Sequence, residues 1–353
     1  MTYLAIGIMS GTSLDGIDIA MCRFRLSDEK WSYDIIDAKT VEYSSEWSDK
    51  LLQAPSLVAE EFLLLHNQYG RYIGEQINEF LKGKEVPDII ASHGHTIFHQ
   101  PEKQFTFQIG NGASIAAATG ITTIADFRSL DIALGGQGAP LVPVGDKLLF
   151  SEFDYCLNIG GFANISFEQN SSRIAFDICP ANIVLNGLAM QLGEPFDLNG
   201  HLGASGKISQ LLLNQLNSVV YYRQKHPKSL GREWLNKEIL PLLAASNLSV
   251  EDQAATFYEH IAEQIASVVA NSGKLLITGG GANNLFLINR LKEKTLCEVV
   301  LPPKNVIDFK EALIFAFLGL LTFTGKNNVF ASSTGSIRDH CGGAIYPIGI
   351  KMG

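Results

Sequence analysis

Gly7-Ile8-Met9-Ser10-Gly11-Thr12-Ser13-Leu14-Asp15-Gly16-Ile17-Asp18 is the stretch on which the fold turns. Residues 3–9 are apolar, 10–16 carry turn chemistry, and 17–24 return to apolar and β-branched side chains, so the segment predicts strand, turn, strand. Gly11 and Gly16 allow close approach of backbone to a ligand. Thr12 and Ser13 add hydroxyl donors, and Asp15 or Asp18 could hold Mg²⁺ through water. A plain hairpin explains the same letters equally well. Because the turn leads into a strand rather than a helix, it is neither a Walker motif nor a dinucleotide fingerprint.

The second half opens in the same way. Residues 155–159 predict a strand, Gly160-Gly161-Phe162-Ala163-Asn164 a glycine turn, 165–168 a returning strand, and 173–176 a third strand running into Asp177. This is a repeat of architecture rather than of letters. Two such turns facing each other would line a cleft with amides, which suits a polyphosphate. Between them, Phe62, Leu65, Tyr69, Ile73, Ile77 and Phe80 step by three or four and predict a helix over 57–81. Residues 86–91 predict a buried strand ending in Ser92-His93-Gly94-His95-Thr96, and 121–125 another ending at Asp126 and Arg128. A helix is expected over 250–271 with Ser249 as its N-cap. The strand 274–278 runs into Gly279-Gly280-Gly281, three costly glycines that suit a flat ligand such as adenosine, or else the start of a helix.

Other candidates carry equally open readings. Asp177 at a strand end reads as a general base or as a helix cap, with Pro180 at an early helix position. Asp126 and Arg128 read as an ion pair. His93, His95 and His99 read as hydrogen-bonding or core residues rather than metal ligands, since no carboxylate or cysteine completes the set. Gly135-Gly136-Gln137-Gly138-Ala139-Pro140 reads as a hinge or a turn. Glu311 precedes an apolar run and reads as dipole complementation or as a substrate contact.

Composition bounds these readings. A chain of 353 residues suggests about two domains, and 46% hydrophobic against 18% charged residues excludes general disorder. A net charge of −9 argues against binding a nucleic-acid backbone. Five scattered cysteines without a CxxC pair fit reduced thiols. Gly7, Ser10, Asp15 and Asp18 interrupt the N-terminal apolar run, so no targeting signal is expected. The longest apolar run, 312–321, is about half of what a membrane span needs and is expected to be a helix buried between two domains. A cytoplasmic protein with no membrane partner follows.

Taken in order, the segments 7–16, 92–94, 125–128 with 135–143, 158–165, 176–177, 278–284, 310–312 and 334–346 resemble the anhydro-N-acetylmuramic acid kinases of the actin/Hsp70/sugar-kinase superfamily. The resemblance implies an α/β, two-domain, actin-like (ribonuclease H-like) ATPase fold with an interdomain cleft. One lobe would comprise 1–131 completed by 309–353, the other 132–308. It implies an enzyme using ATP and Mg²⁺ to open the 1,6-anhydro ring of an amino sugar with water and to phosphorylate O6. By the same likeness Gly11 to Asp18, including Leu14 and Ile17, form the first phosphate loop, and Gly160, Gly161 and Asn164 the second. Gly279, Gly280 and Gly281 form the adenosine loop, and Asp177 is the catalytic base. His93, Thr96, Arg128 and Glu311 are sugar contacts, and a homodimer is implied. Ile178, Cys179 and Ala181 stand where the family usually shows Thr, Gly and Gly, Asn186 where it shows Asp, and His95 where it shows Gln. Two other readings stay open: a kinase for a non-anhydro amino sugar, and a nucleotide-gated sugar-binding protein without turnover.

Overall fold

The computed structural model describes residues 1–11, 14–269 and 272–349; Thr12 and Ser13 of the first loop lie outside them. The chain divides into two compact units, Met1–Leu149 with Phe309–Gly353, and Phe150–Asp308, so residues 132–149 cluster with the first.

In the first unit, β1 (Thr2–Ser10), β2 (Ile17–Ser27) and β3 (Lys30–Val41) form an antiparallel meander. β4 (Ile89–Gln100) runs parallel to β1 and carries β5 (Phe105–Ile109) antiparallel on its far end. β6 (Thr123–Ala125) runs parallel to β4, and the C-terminal strand Ala344–Tyr346 closes that edge. Reading from the edge inward, β6, β4, β1, β2 and β3 lie side by side.

The second unit repeats this order. β7 (Tyr155–Ile159), β8 (Phe162–Gln169) and β9 (Ser172–Pro180) form the meander, and β10 (Lys274–Thr278) and β11 (Glu298–Val300) add parallel strands beyond β7. Three antiparallel strands followed by two parallel ones on the far side of the first is the ribonuclease H-like order. Its occurrence twice in one chain matches the weak repeat of strand–glycine turn–strand units, and it is the α/β, actin-like fold that the family resemblance implies.

Helices cover these sheets where the apolar period requires. Ala59–Phe80 buries Leu65, Tyr69, Ile73, Ile77 and Phe80 of the expected stripe and leaves its first member, Phe62, half-buried. Val250–Ala266 is capped by the Ser249 hydroxyl on the Asp252 amide and ends short of the expected residue 271. Lys304–Phe323 contains the apolar run, and its second half is apolar all round and buried at every position from Ala312 to Leu321. It breaks from helical geometry at Phe309, and Glu311 lies just past that kink instead of at the helix start. The run 312–321 belongs to the first unit. A Cβ on Gly7 would overlap the Ala312 carbonyl, and one on Gly319 the Ala91 side chain, so this helix rests on β1 and β4 at backbone distance.

Two boundaries differ from expectation in a way that matters for the site. The strand expected to stop at Ala91 runs on to Gln100, because the polar residues 92–96 still pair with β1 and β5. The strand expected to end before Asp177 runs through it to Pro180, which pairs with Phe162 and occupies no helix position. Among the described residues no helix is long and apolar enough to cross a membrane.

Candidate active site

Both units place their candidate residues at interruptions of the β ladder. On β4 the pairing with β1 passes from Ile8–Ser92 to Ser10–His95, so His93 and Gly94 together face the single residue Met9. This bulge needs Gly94 at φ +74°, where a Cβ would stand 2.5 Å from the Ile109 carbonyl. The bulge re-aims His93. Its Nδ1 donates to the Gly94 carbonyl at 2.9 Å, and its Nε2 accepts from Arg128 Nε at 2.9 Å. That tautomer is neutral, in keeping with burial, then the Arg128 charge, holding the ring pKa well below its ordinary value.

Arg128 also donates through Nη1 to the Gly138 carbonyl at 2.6 Å. Burial lowers its guanidinium to about 10, against the opposing charges of Glu311 and Asp131. Among the described residues Nη2 has no hydrogen-bond partner. Glu311 is reached by water, yet crowding by surrounding protein raises its carboxyl above the usual range; Arg128 opposes this and Asp18 reinforces it. Arg128 and Glu311 thus sense each other's charge without an ion-pair contact. The expected pair of Asp126 with Arg128 does not form: Asp126 accepts from the Ser129 amide, and Arg128 turns to His93. Thr96 is half-buried on β4, with its hydroxyl 3.4 Å from Gln108 Nε2.

In the described part of the first loop the Leu14 amide bonds to the Gly11 carbonyl at 3.4 Å and Leu14 has φ +60°. Gly16 lies under the Val41 carbonyl, where a Cβ would stand at 2.5 Å, so packing against β3 alone demands glycine there. Ile17 is buried, Asp15 is exposed, and Asp18 accepts from the Thr40 hydroxyl at 2.6 Å. Among the described residues no three His, Cys, Asp or Glu side chains converge as a metal site. His95 instead binds Ser10 through Nδ1 at 3.0 Å, in a cluster with Tyr43 and Tyr69, and His99 meets Thr106 at 3.1 Å.

In the second unit the pairing of β8 with β9 passes from Ala163–Cys179 to Asn164–Asp177, leaving Ile178 as the extra residue. Asp177 is half-buried opposite Asn164. Its Oδ2 accepts from the Leu230 amide at 2.9 Å, and its carbonyl accepts from the Tyr221 hydroxyl at 2.7 Å. Among the described residues Oδ1 accepts from no donor. Burial raises the carboxyl pKa, and the Leu230 amide pulls it back. The residue is no helix cap: the helix Asn182–Met190 has Ala181 at its N-cap. Its first amides, from residues 181 to 183, bond instead to the Gly160 and Gly161 carbonyls, which ties the second glycine turn to that helix.

The three glycines after β10 split by role. Cβ atoms on Gly279 and Gly281 would collide with Asn158 and Ile159, whereas the nearest atom to one on Gly280 is Asn182 Nδ2 at 3.7 Å. Two of the three are therefore required by packing on β7, and the third has room for a Cβ at ordinary contact distance. Asn284 caps the helix Leu285–Lys294 that follows.

The family model for anhydro-N-acetylmuramic acid kinase matches residues 3–348. The chain belongs to the anhydro-N-acetylmuramic acid kinase family. Among its relatives, an anhydro-N-acetylmuramic acid kinase of Pseudomonas fluorescens is 36% identical, covering 98% of this chain and 99% of that protein. Another of Pseudoalteromonas translucida is 36% identical over 92% of this chain and 90% of its own length. A family match of this extent does not favour the binding-protein reading or a kinase outside the family. Asp131, Tyr221 and Leu230 carry no local signal in the sequence. The partners of these side chains and amides stand between seven and 203 positions away, and only the fold reveals the contacts.

Proposed function

We propose that this member of the anhydro-N-acetylmuramic acid kinase family opens the 1,6-anhydro ring of anhydro-N-acetylmuramic acid with water and transfers the γ-phosphoryl group of ATP to O6. The products are N-acetylmuramic acid 6-phosphate and ADP, in recycling of cell-wall peptidoglycan in the cytoplasm. The observation that carries the reading is the asymmetry of Asp177, one oxygen pinned by the Leu230 amide and the other unengaged. A carboxylate so held, with its pKa raised, suits a general base.

In this reading a water O–H proton passes to Asp177 Oδ1 while the water oxygen bonds to C1. The C1–O6 bond breaks, the O6 electron pair attacks the γ-phosphorus, and the bond to the ADP oxygen breaks in line. His93 is kept neutral, so it offers Arg128 an acceptor without repelling it. Arg128 Nη2 and the Glu311 carboxyl are the donor and acceptor suited to sugar hydroxyls and carbonyls. No atom lies closer than 3.7 Å to where a Cβ on Gly160, Gly161 or Gly280 would stand, so phosphate and adenosine can approach the main chain there. Mg²⁺ brought with the triphosphate would offset phosphate charge. Asp18, whose charge already adds to that around Glu311, suits holding its water shell, with Asp15 beside it.

Incubation with the anhydro sugar in ¹⁸O-water, quenched before anomeric exchange, should place heavy oxygen on the C1 hydroxyl of a product phosphorylated at O6. A product phosphorylated without enzyme-dependent label would overturn ring opening by water. The adenosine loop is tested separately. Gly281→Ala should lower stability by about 1–3 kcal/mol through overpacking against Ile159. Gly280→Ala should leave the unfolding midpoint unchanged and raise KM for ATP severalfold. Equal behaviour of the two in both measurements would contradict the division.

A further inference from the structure

The glycine-rich loop 135–140 finds no use in the mechanism above, yet it surrounds a fully buried carboxylate. Asp131 is 0% exposed. Its Oδ2 accepts from the Gly138 amide at 2.6 Å, and its Oδ1 accepts from the Thr334 hydroxyl at 2.6 Å. The Asp131 carbonyl receives the Gly136 amide at 2.8 Å, and the Gln137 amide bonds to the Thr334 carbonyl at 2.8 Å. The loop is thus wound around one side chain and stitched to residue 334. Glycine at 136 is obligatory, because a Cβ there would occupy the carboxylate itself. Gly138 sits at φ +69°, and its carbonyl points to Arg128 Nη1 at 2.6 Å.

A chain of short, directed contacts therefore runs from Thr334 to Asp131, to Gly138, to Arg128. A buried carboxylate that accepts two hydrogen bonds fixes its donors firmly, since bonds to a charged acceptor are about twice as strong as neutral ones. The Gly138 backbone is then engaged on both sides of its Cα, its amide by Asp131 and its carbonyl by Arg128. Two nitrogens of Arg128 are consequently locked, by Gly138 and by His93, and the direction of Nη2 is set.

We propose that Asp131 is a positioning residue for the sugar side of the reaction, acting through the Gly138 peptide on the Arg128 guanidinium, with Thr334 holding the carboxylate in turn. The loop 135–140 is on this view neither a hinge nor a passive turn but a carbonyl clamp. The inference rests on the reading of Arg128 as a sugar contact.

The test compares Asp131→Asn, Thr334→Val, Arg128→Lys and the double variant Asp131→Asn/Arg128→Lys in the full chain, with separate KM values for anhydro-N-acetylmuramic acid and ATP. Asp131→Asn should raise KM for the sugar about tenfold with KM for ATP unchanged. Thr334→Val should move it the same way by a smaller factor, and it carries the test if the asparagine variant does not fold. The double variant should be little worse than Arg128→Lys alone, because both act on one guanidinium. Multiplicative effects, or equal shifts in both KM values, would reduce Asp131 to a structural residue and overturn the proposal. If Arg128→Lys itself leaves KM for the sugar unchanged, the sugar-contact reading fails first.

Discussion

Asp177→Asn should lower kcat by about a thousandfold, within the range for loss of a positioned general base. Asparagine matches the shape of aspartate, and its carbonyl oxygen can still accept from the Leu230 amide. What it lacks is the capacity to take a proton at the unengaged position. ATP affinity should stay within twofold, and a nucleotide titration beside steady-state kinetics separates the two. The pH profile supplies a second check. The Asp177 pKa is raised, so kcat/KM of the parent should fall as pH drops through that raised value and the base is protonated. The residual activity of the variant should lack this limb. Stability moves in the other direction. A carboxyl with a folded pKa above its unfolded one binds protons more readily when folded, so its ionisation opposes folding at neutral pH. The variant should therefore unfold at the same temperature as the parent or higher. Near-normal turnover would remove Asp177 from the chemistry.

Removing Lys310 should have the largest effect on stability. Its Nζ lies 2.7 Å from Asp146 Oδ1, with the two residues 5% and 3% exposed. The pair joins the helix Pro143–Leu149 to Lys304–Phe323 inside the first unit. Lys310→Met keeps the volume and removes a buried positive charge 2.7 Å from the Asp146 carboxylate, and breaking a buried ion pair from one side costs about 3–5 kcal/mol. The double variant Lys310→Met/Asp146→Leu should regain most of this, because an apolar pair needs no compensation. Chemical denaturation measures both, and a single-variant loss under about 1 kcal/mol would show that the pair remains solvated. The change should also reach the sugar site, because the Lys310 charge helps to hold the Glu311 carboxyl down. Without it, Glu311 should take up a proton at higher pH, and the acid side of the KM profile for the sugar should shift upward.

Much of this protein was legible one residue at a time. The period of the helix 59–80, the buried run 312–321 and the two strand–glycine–strand units follow from where apolar side chains and glycines fall, since each reports a local preference for burial or for positive φ. The order and spacing of the motifs pointed to the family. What the letters did not contain is which neighbour each polar group would choose. Asp126 stood closest to Arg128 in sequence, yet His93 and the Gly138 carbonyl took the guanidinium. Three adjacent glycines looked alike, yet Ile159 demands two and leaves Gly280 open. Asp177 and His93 looked like strand ends, yet each sits at a bulge inside a continuing strand. Hydrogen bonds and steric contacts act over a few ångströms of space whatever the distance along the chain. The elements were therefore written in the sequence, while the partners were decided only when β4, the loop 135–140 and the kinked helix 304–323 came together.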